Sequence, residues 1–407
     1  MIKSDQNTSA VLRALAPSEC MFVGLATGKT VRVRGVLDIE ALGEAYTALC
    51  RRYPFLGAYL EPTEKGYVLV RPPVFMGKVR QESPKSTDFQ PWLERRPQSA
   101  VCVEQDSDGA RVSLLTHHCV ADSRYGSAAF QDLWRLYTQI VLNGKVEDIS
   151  ELPEPQPIES LLTARGVGDI SSNHAGGTRF GQPNSAATLS LETARRRFTV
   201  AETNALTEFG GRNGLTVHGI LAAAIILAEK EVGGQLLSEL YYTYPVDLRE
   251  RLTPPVAPAG GTNVLGYVQF NPDPTVAPEL SAIGTAVNEQ LTAGLSTGAI
   301  VHSLIYAASA VGTSPSPTPG KIMTTSAGRI ADFITPPGLI VEDLTTIVSP
   351  RMLDPTNRRG LYAINSFGGR LSIEIHHRPG AADIENQRLA ALTDRLIASA
   401  VLSGRSR

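Results

Sequence analysis

Alternation of apolar and polar residues gives the first element. In "TVRVRGV" (30–36) Val31 and Val33 fall on one face and the arginines on the other, the period of two that marks a half-buried strand. From Asp38 the period becomes helical: Ile39, Leu42, Ala45, Tyr46 and Leu49 form an apolar stripe to about Arg51. Asp38 is the expected cap and Pro54 the stop. "RRYPFLGAYLE" is expected to re-enter as a strand, with further strands at 67–71 and 100–104. "ARVSLLT" (110–116) reads as a strand that runs directly into two histidines. Beyond them Phe130, Leu133, Trp134, Tyr137 and Ile140 recur at helical spacing, with Gly144 as the stop.

The pattern breaks at 151–190, which is Pro-rich and then polar and Gly-rich. It reads as a mobile connection between lobes, carrying an isolated His174. After it, Thr199-Val-Ala-Glu202 is a capping box. "LTVHGILAAAIILAEKEV" is a buried helix in which His218 packs. Strands are expected at 239–246 and 262–270, helices near 278–294 and 299–310, and strands near 320–327, 338–346 and 359–365. A hairpin across Phe367-Gly368-Gly369 leads into "RLSIEIHH", and a last helix covers about 383–402. Strands and helices mix in both halves, so the fold class is α/β (α+β layered). Two lobes of mixed sheets flanked by helices are expected, residues 1–150 and 191–407.

Composition narrows the function. A net charge of -2 excludes the clustered basic surface that nucleic acids require. Arg195-Arg196-Arg197 reads as a solvated turn before a helix. "MIKSDQNTSA" lacks the apolar core of a signal peptide, and "GILAAAIILA" (219–228) is too short to span a bilayer. A cytoplasmic protein without membrane insertion is therefore expected. Cys20, Cys50, Cys102 and Cys119 form no CxxC pair and are expected to be reduced, with Cys119 a small apolar filler.

With only 7 histidines in 407 residues, "LLTHHCVADSRYG" (114–126) stands out. Side chains alternate on a strand, so His117 and His118 point apart: one can face a cleft while the other supports it from behind. A neutral imidazole in a cleft is suited to take a proton from a hydroxyl or amine near pH 7. Asp122 organises the turn or caps the following helix. A metal site is disfavoured because adjacent strand histidines diverge and no third ligand pattern follows. A second pair, His376-His377, has no aspartate four residues on and reads as structural. Arg249, after the strand "YPVDLR", is either solvated or paired with a carboxylate from the other lobe.

His117-His118-Cys-Val-Ala-Asp122 resembles the HHxxxD motif of CoA-dependent acyltransferases, the group of chloramphenicol acetyltransferase, plant BAHD enzymes and peptide-synthetase condensation domains. Within that group the chain most resembles the polyketide-associated acyltransferases of the phthiocerol dimycocerosyl transferase family. The likeness runs through "VRVRGVLDIEALGEAYTALCRRYPFLGAYLE", "YPVDLR", "PPVAP", "TNVLG", "TPPGLIVEDL" and "GGRLSIEIHH". It implies two chloramphenicol-acetyltransferase-like lobes around a tunnel, His118 as general base, and Asp122 paired with Arg249, with His117 behind. Thr325 and Ser326 are candidate substrate-side donors to a developing oxyanion. The implied co-substrate is acyl-CoA or an acyl carrier protein thioester, with no permanently bound cofactor and no metal. The implied acceptor is a polyketide alcohol, either a lipid diol or a macrocyclic antibiotic, and a monomer suffices. An amide-forming condensation enzyme and a non-catalytic scaffold of the same fold are the alternatives. Two departures stand out: Ser123 occupies a position where many relatives carry Gly, and the plant family's DFGWG loop is absent.

Overall fold

The computed structural model describes residues 9–84, 96–147, 149–167, 190–309, 320–353 and 359–404. The first half runs β1 (Ala10–Ala14), α1 (Pro17–Cys20), β2 (Ala26–Arg34), α2 (Ile39–Arg52), α3 (Pro54–Gly57), β3 (Tyr59–Thr63) and β4 (Gly66–Arg71). It continues with β5 (Ser99–Asp106), β6 (Gly109–His117), α4 (Ser123–Asn143) and α5 (Ile158–Thr163). The second half opens with β7 (Glu192–Arg197), α6 (Val200–Arg212), α7 (Val217–Gly233), β8 (Tyr241–Asp247), β9 (Leu265–Phe270), α8 (Leu280–Ser296) and α9 (Ala299–Ser309). It closes with β10 (Lys321–Ile330), β11 (Ile340–Val348), β12 (Leu361–Phe367), β13 (Arg370–His377) and α10 (Ala382–Gly404).

Local chemistry explains most boundaries. Asp38 accepts a hydrogen bond from the Ala41 amide at 3.0 Å and starts α2. Thr199 and Glu202 close the capping box of α6. Gly144 ends α4 in the left-handed region at φ 71°. The apolar run of α7 is buried from Gly219 to Glu229, so it is a core helix. Among the described residues no single helix is long and apolar enough to cross a membrane.

Three sheets form. A small one has the order β1-β4-β3, the second-half sheet is β7-β13-β12-β10-β8-β9, and the sheet that carries the histidines is β11-β2-β6-β5. β11, although late in sequence, pairs antiparallel with β2 from Ile340↔Arg34 to Val348↔Thr27. The two halves of the chain therefore share a sheet. Helix α4 also bridges them: Thr138 donates to the Ile334 carbonyl at 2.9 Å, and Phe130 packs edge-on against Phe333 at 5.2 Å.

Three expectations are corrected. The chain after Pro54 makes a helical turn before it becomes a strand, because proline is well placed at a helix start. Arg195-Arg196-Arg197 is an edge strand, not a turn: Arg195 lies opposite Glu374 and its guanidinium grips Asp343 on β11, with Nη2 to Oδ1 at 2.9 Å. The start of the connecting segment is packed. Ile158, Leu161 and Leu162 are buried at helical spacing, and Glu159 accepts from the Ser18 amide and hydroxyl at 2.9 and 2.7 Å. Residues 168–189, including His174, lie outside the described residues. Removing the α2 cap with Asp38→Ala should cost about 1 kcal/mol, read as a lower urea midpoint with unchanged slope. An unchanged midpoint would show that the cap does not hold the helix.

Candidate active site

β6 ends at His117, and its ladder partner there is Ala26. The two histidine amides then part: that of His117 donates to the Gln98 carbonyl and that of His118 to the Leu25 carbonyl, each at 2.8 Å. The side chains diverge accordingly. The Gln98 side chain donates from Nε2 to the Arg96 carbonyl at 3.1 Å, which leaves its Oε1 as the acceptor facing His117 Nδ1. His117 is then the Nδ1–H tautomer, and its Nε2 accepts the Gly24 amide at 2.8 Å. Both ring nitrogens are engaged, and burial pushes its pKa down to about 3.

His118 is set by the same logic on a different partner. Asn263, fully buried, donates from Nδ2 to the His118 carbonyl at 2.9 Å. Its Oδ1 must then be the atom 3.1 Å from His118 Nδ1, so that nitrogen carries the proton. Nε2 is left with its lone pair and takes no partner among the described residues. Phe22 stacks on the imidazole at 4.2 Å and 8°, which fixes the ring plane. Burial lowers the His118 pKa against the opposing pull of Asp122, so the ring is neutral at pH 7.

Asp122 makes no hydrogen bond to His118. Its Oδ1 accepts the Arg124 and Tyr125 amides at 3.1 and 3.0 Å, capping α4, and its Oδ2 accepts the Val264 amide at 3.1 Å. Arg249 reaches it bidentately at 2.8 and 3.0 Å. The remaining guanidinium hydrogens go to the Pro258 carbonyl, Asp247 and the Gly261 carbonyl at 3.1, 3.1 and 2.9 Å. All five donors of this buried arginine are used. The adjoining Thr262 accepts the Asp122 amide at 2.8 Å and donates its hydroxyl to the buried Glu19 at 2.6 Å. The loop that carries Asn263 is thereby bound to the histidine turn.

The other candidates sort by strand alternation. Thr325 pairs with Ala363, which pairs with Glu374, which pairs with Arg195, so these four share one face of the second-half sheet. Ser326 points the other way, is exposed, and its hydroxyl accepts the Gly328 amide at 3.2 Å. Neither side chain is hydrogen-bonded to His118. His376 and His377 are buried in β13, with Nδ1 atoms 3.0 Å from the Thr193 hydroxyl and the Arg378 carbonyl. His218 packs on Tyr244 at 4.3 Å. Cys119 is fully buried and burial raises its pKa well above the usual thiol value, so it is no thiolate nucleophile. Phe22, Gln98 and Asn263 escape motif reasoning, because each is remote in sequence and common in type. Of the three, Asn263 alone stood in a segment already singled out, "TNVLG".

Residues 187–376 match the family model described as the C-terminus of phthiocerol/phthiodiolone dimycocerosyl transferase. The enzyme of that name from Mycobacterium bovis BCG is 28% identical over 394 residues, covering 90% of this chain and 92% of the relative. Its counterpart from Mycobacterium leprae is 29% identical over 397 residues, with the same 90% and 92% coverage. Among solved structures, polyketide synthase associated protein 5 from Mycobacterium tuberculosis superposes with a TM-score of 0.78 at 26% identity, covering 95% of this chain and 99% of that one. The first condensation domain of the calcium-dependent antibiotic synthetase gives 0.67 at 14% identity, with 97% of each chain covered.

The fold is thus that of the condensation-domain and chloramphenicol-acetyltransferase group, two lobes of mixed sheet and helix. The chain is a transferase, similar over about 90% of its length to the phthiocerol/phthiodiolone dimycocerosyl transferases.

Two outcomes follow from this geometry. Arg249→Met leaves the Asp122 carboxylate buried without its cation and should destabilise the protein by about 3–5 kcal/mol, measured by chemical denaturation. A loss below about 1 kcal/mol would show that the pair is not the fastener described. Because both histidines are held neutral, the unfolded chain binds more protons below pH ~6.5. Stability should fall as pH drops through that value towards about 3, the folded pKa of His117, and His117→Gln should flatten the slope. A stability that is flat across this window would contradict the burial argument.

Proposed function

We propose that the protein is an O-acyltransferase that moves an acyl group from a thioester, on CoA or a carrier protein, to a hydroxyl of a polyketide-type alcohol. The observation that carries this reading is the Asn263–His118 arrangement, which leaves Nε2 as an unprotonated lone pair on a neutral, immobilised ring. Such an atom takes the hydroxyl proton as the oxygen attacks the thioester carbonyl. The tetrahedral intermediate then collapses, the C–S bond breaks, and the imidazolium returns its proton to the departing thiolate. Atoms and charge balance without an acyl-enzyme, and without a cofactor beyond the co-substrate thioester.

In this reading His118 is the catalytic base. Asp122, Arg249 and His117 are positioning residues, since the oxygens and nitrogens described above are spent on holding the turn. Thr325 is the better of the two oxyanion candidates, because it lies on the sheet face with Arg195 while Ser326 is exposed on the opposite face. The resemblance to transferases that use phthiocerol and mycocerosyl groups supports an alcohol acceptor and an acyl donor, without setting chain length.

His118→Ala should lower kcat by about a hundredfold to ten-thousandfold while the circular dichroism spectrum is unchanged. The assay is mass spectrometry of esters and thiol formed from a panel of acyl-CoAs and alcohols. Full activity in the folded variant would remove His118 from the chemistry, and preferential turnover of amines would replace ester formation by amide formation.

A further inference from the structure

Lys29 breaks the pattern of its strand. Positions 29, 31 and 33 of β2 share a face; Val31 and Val33 are fully buried there, yet Lys29 is only 5% exposed. Its ammonium donates to the Ser123 carbonyl at 3.2 Å and the Ser123 hydroxyl at 3.1 Å. Among the described residues no carboxylate lies within ion-pair distance of it. Asp122 is the acid whose field reaches Lys29, but both of its oxygens are taken by Arg249 and three backbone amides. Arg249 is shared between Asp122 and Asp247, and Lys29 is a buried ammonium that touches no carboxylate directly among the described residues. Burial draws its pKa down to about 8.

Ser123 extends the donor set. Its hydroxyl oxygen accepts from Lys29, so its own proton is directed elsewhere, and its amide has no acceptor among the described residues. Ser123 is also the first residue of a 21-residue helix, where the backbone dipole favours an anion. There is room beside it: Ser123, Gly126 and Ser127 are partly accessible, and a Cβ placed on Gly126 would meet only the Thr116 hydroxyl at 3.6 Å.

We propose, on the acyl-transfer reading above, that Lys29 and Ser123 form a subsite for a carboxylate carried by one of the two substrates, beside the His118 turn. A carboxylate brings two acceptor oxygens to a cluster of ammonium, hydroxyl and amide donors. The acyl donor and the acceptor alcohol are its two possible carriers.

Equilibrium binding distinguishes them without requiring turnover. Succinyl-CoA is compared with butyryl-CoA, and an ω-hydroxy fatty acid with the matching α,ω-diol, by calorimetry on the wild type, Lys29→Met, Lys29→Arg and Ser123→Gly. The carboxylated member of one pair should bind the wild type about tenfold tighter or more. That preference should shrink towards parity in Lys29→Met and Ser123→Gly and persist in part in Lys29→Arg; the pair that shows it names the carrier. No preference in either pair, or one that survives both Lys29→Met and Ser123→Gly, overturns the subsite. If Lys29→Met does not fold, Ser123→Gly and Ser123→Ala decide by the same ratio. Thiol release is followed separately: no acyl transfer with the binding preference intact counts against the acyl-transfer reading and leaves the subsite standing.

Discussion

The buried pair between Asp122 and Arg249 is the constraint on which the site rests. Taking two charges out of water is expensive, and such a pair seldom adds net stability over an apolar replacement of equal volume. Its contribution here is geometric. One end of Asp122 caps the helix that follows the histidine turn, and the other end holds the amide of Val264, next to Asn263. Arg249 binds that carboxylate while its other donors fix the loop at Pro258 and Gly261. With every polar atom satisfied, the arrangement has few alternatives of comparable energy, so the turn and the Asn263 loop are held as one body.

That body decides which histidine is free. Both imidazoles carry their proton on Nδ1 and both are neutral, so neither protonation nor tautomer separates them. The difference is at Nε2. On His117 the Gly24 amide takes it; on His118 it is open, and the ring is clamped between Phe22 and Asn263. A two-residue offset on a strand could not achieve this, because both rings would then face the same side. Adjacent histidines put one ring nitrogen into structure and leave the other without a partner among the described residues.

Much of this was legible in the chain. The period-two strand at Val31 and Val33, the Asp38 cap, the Thr199 capping box and the Gly144 stop are local codes, and each forms where the pattern placed it. The Asp122–Arg249 pairing was readable only through family resemblance, since no local rule links residues 127 positions apart. Pairing of β11 with β2 was hidden for a similar reason: alternation marks a strand but does not name its neighbour. The Arg195–Arg197 run misled because charge on an edge strand looks like charge on a turn until its partners, Asp343 and Glu374, are known. Phe22 carried no distinguishing signal, Asn263 had only its place in "TNVLG", and Lys29 lies just before the stretch that alternation marked as a strand.

The proton on the His118 ring is the most direct point of test. Imidazole nitrogen chemical shifts measured by NMR at neutral pH assign it without substrate and without mutation. The expected result is a protonated Nδ1 and an unprotonated Nε2 for His118, unchanged until the pH falls below the ordinary histidine range. A proton on Nε2, or a ring already charged at pH 7, would contradict it.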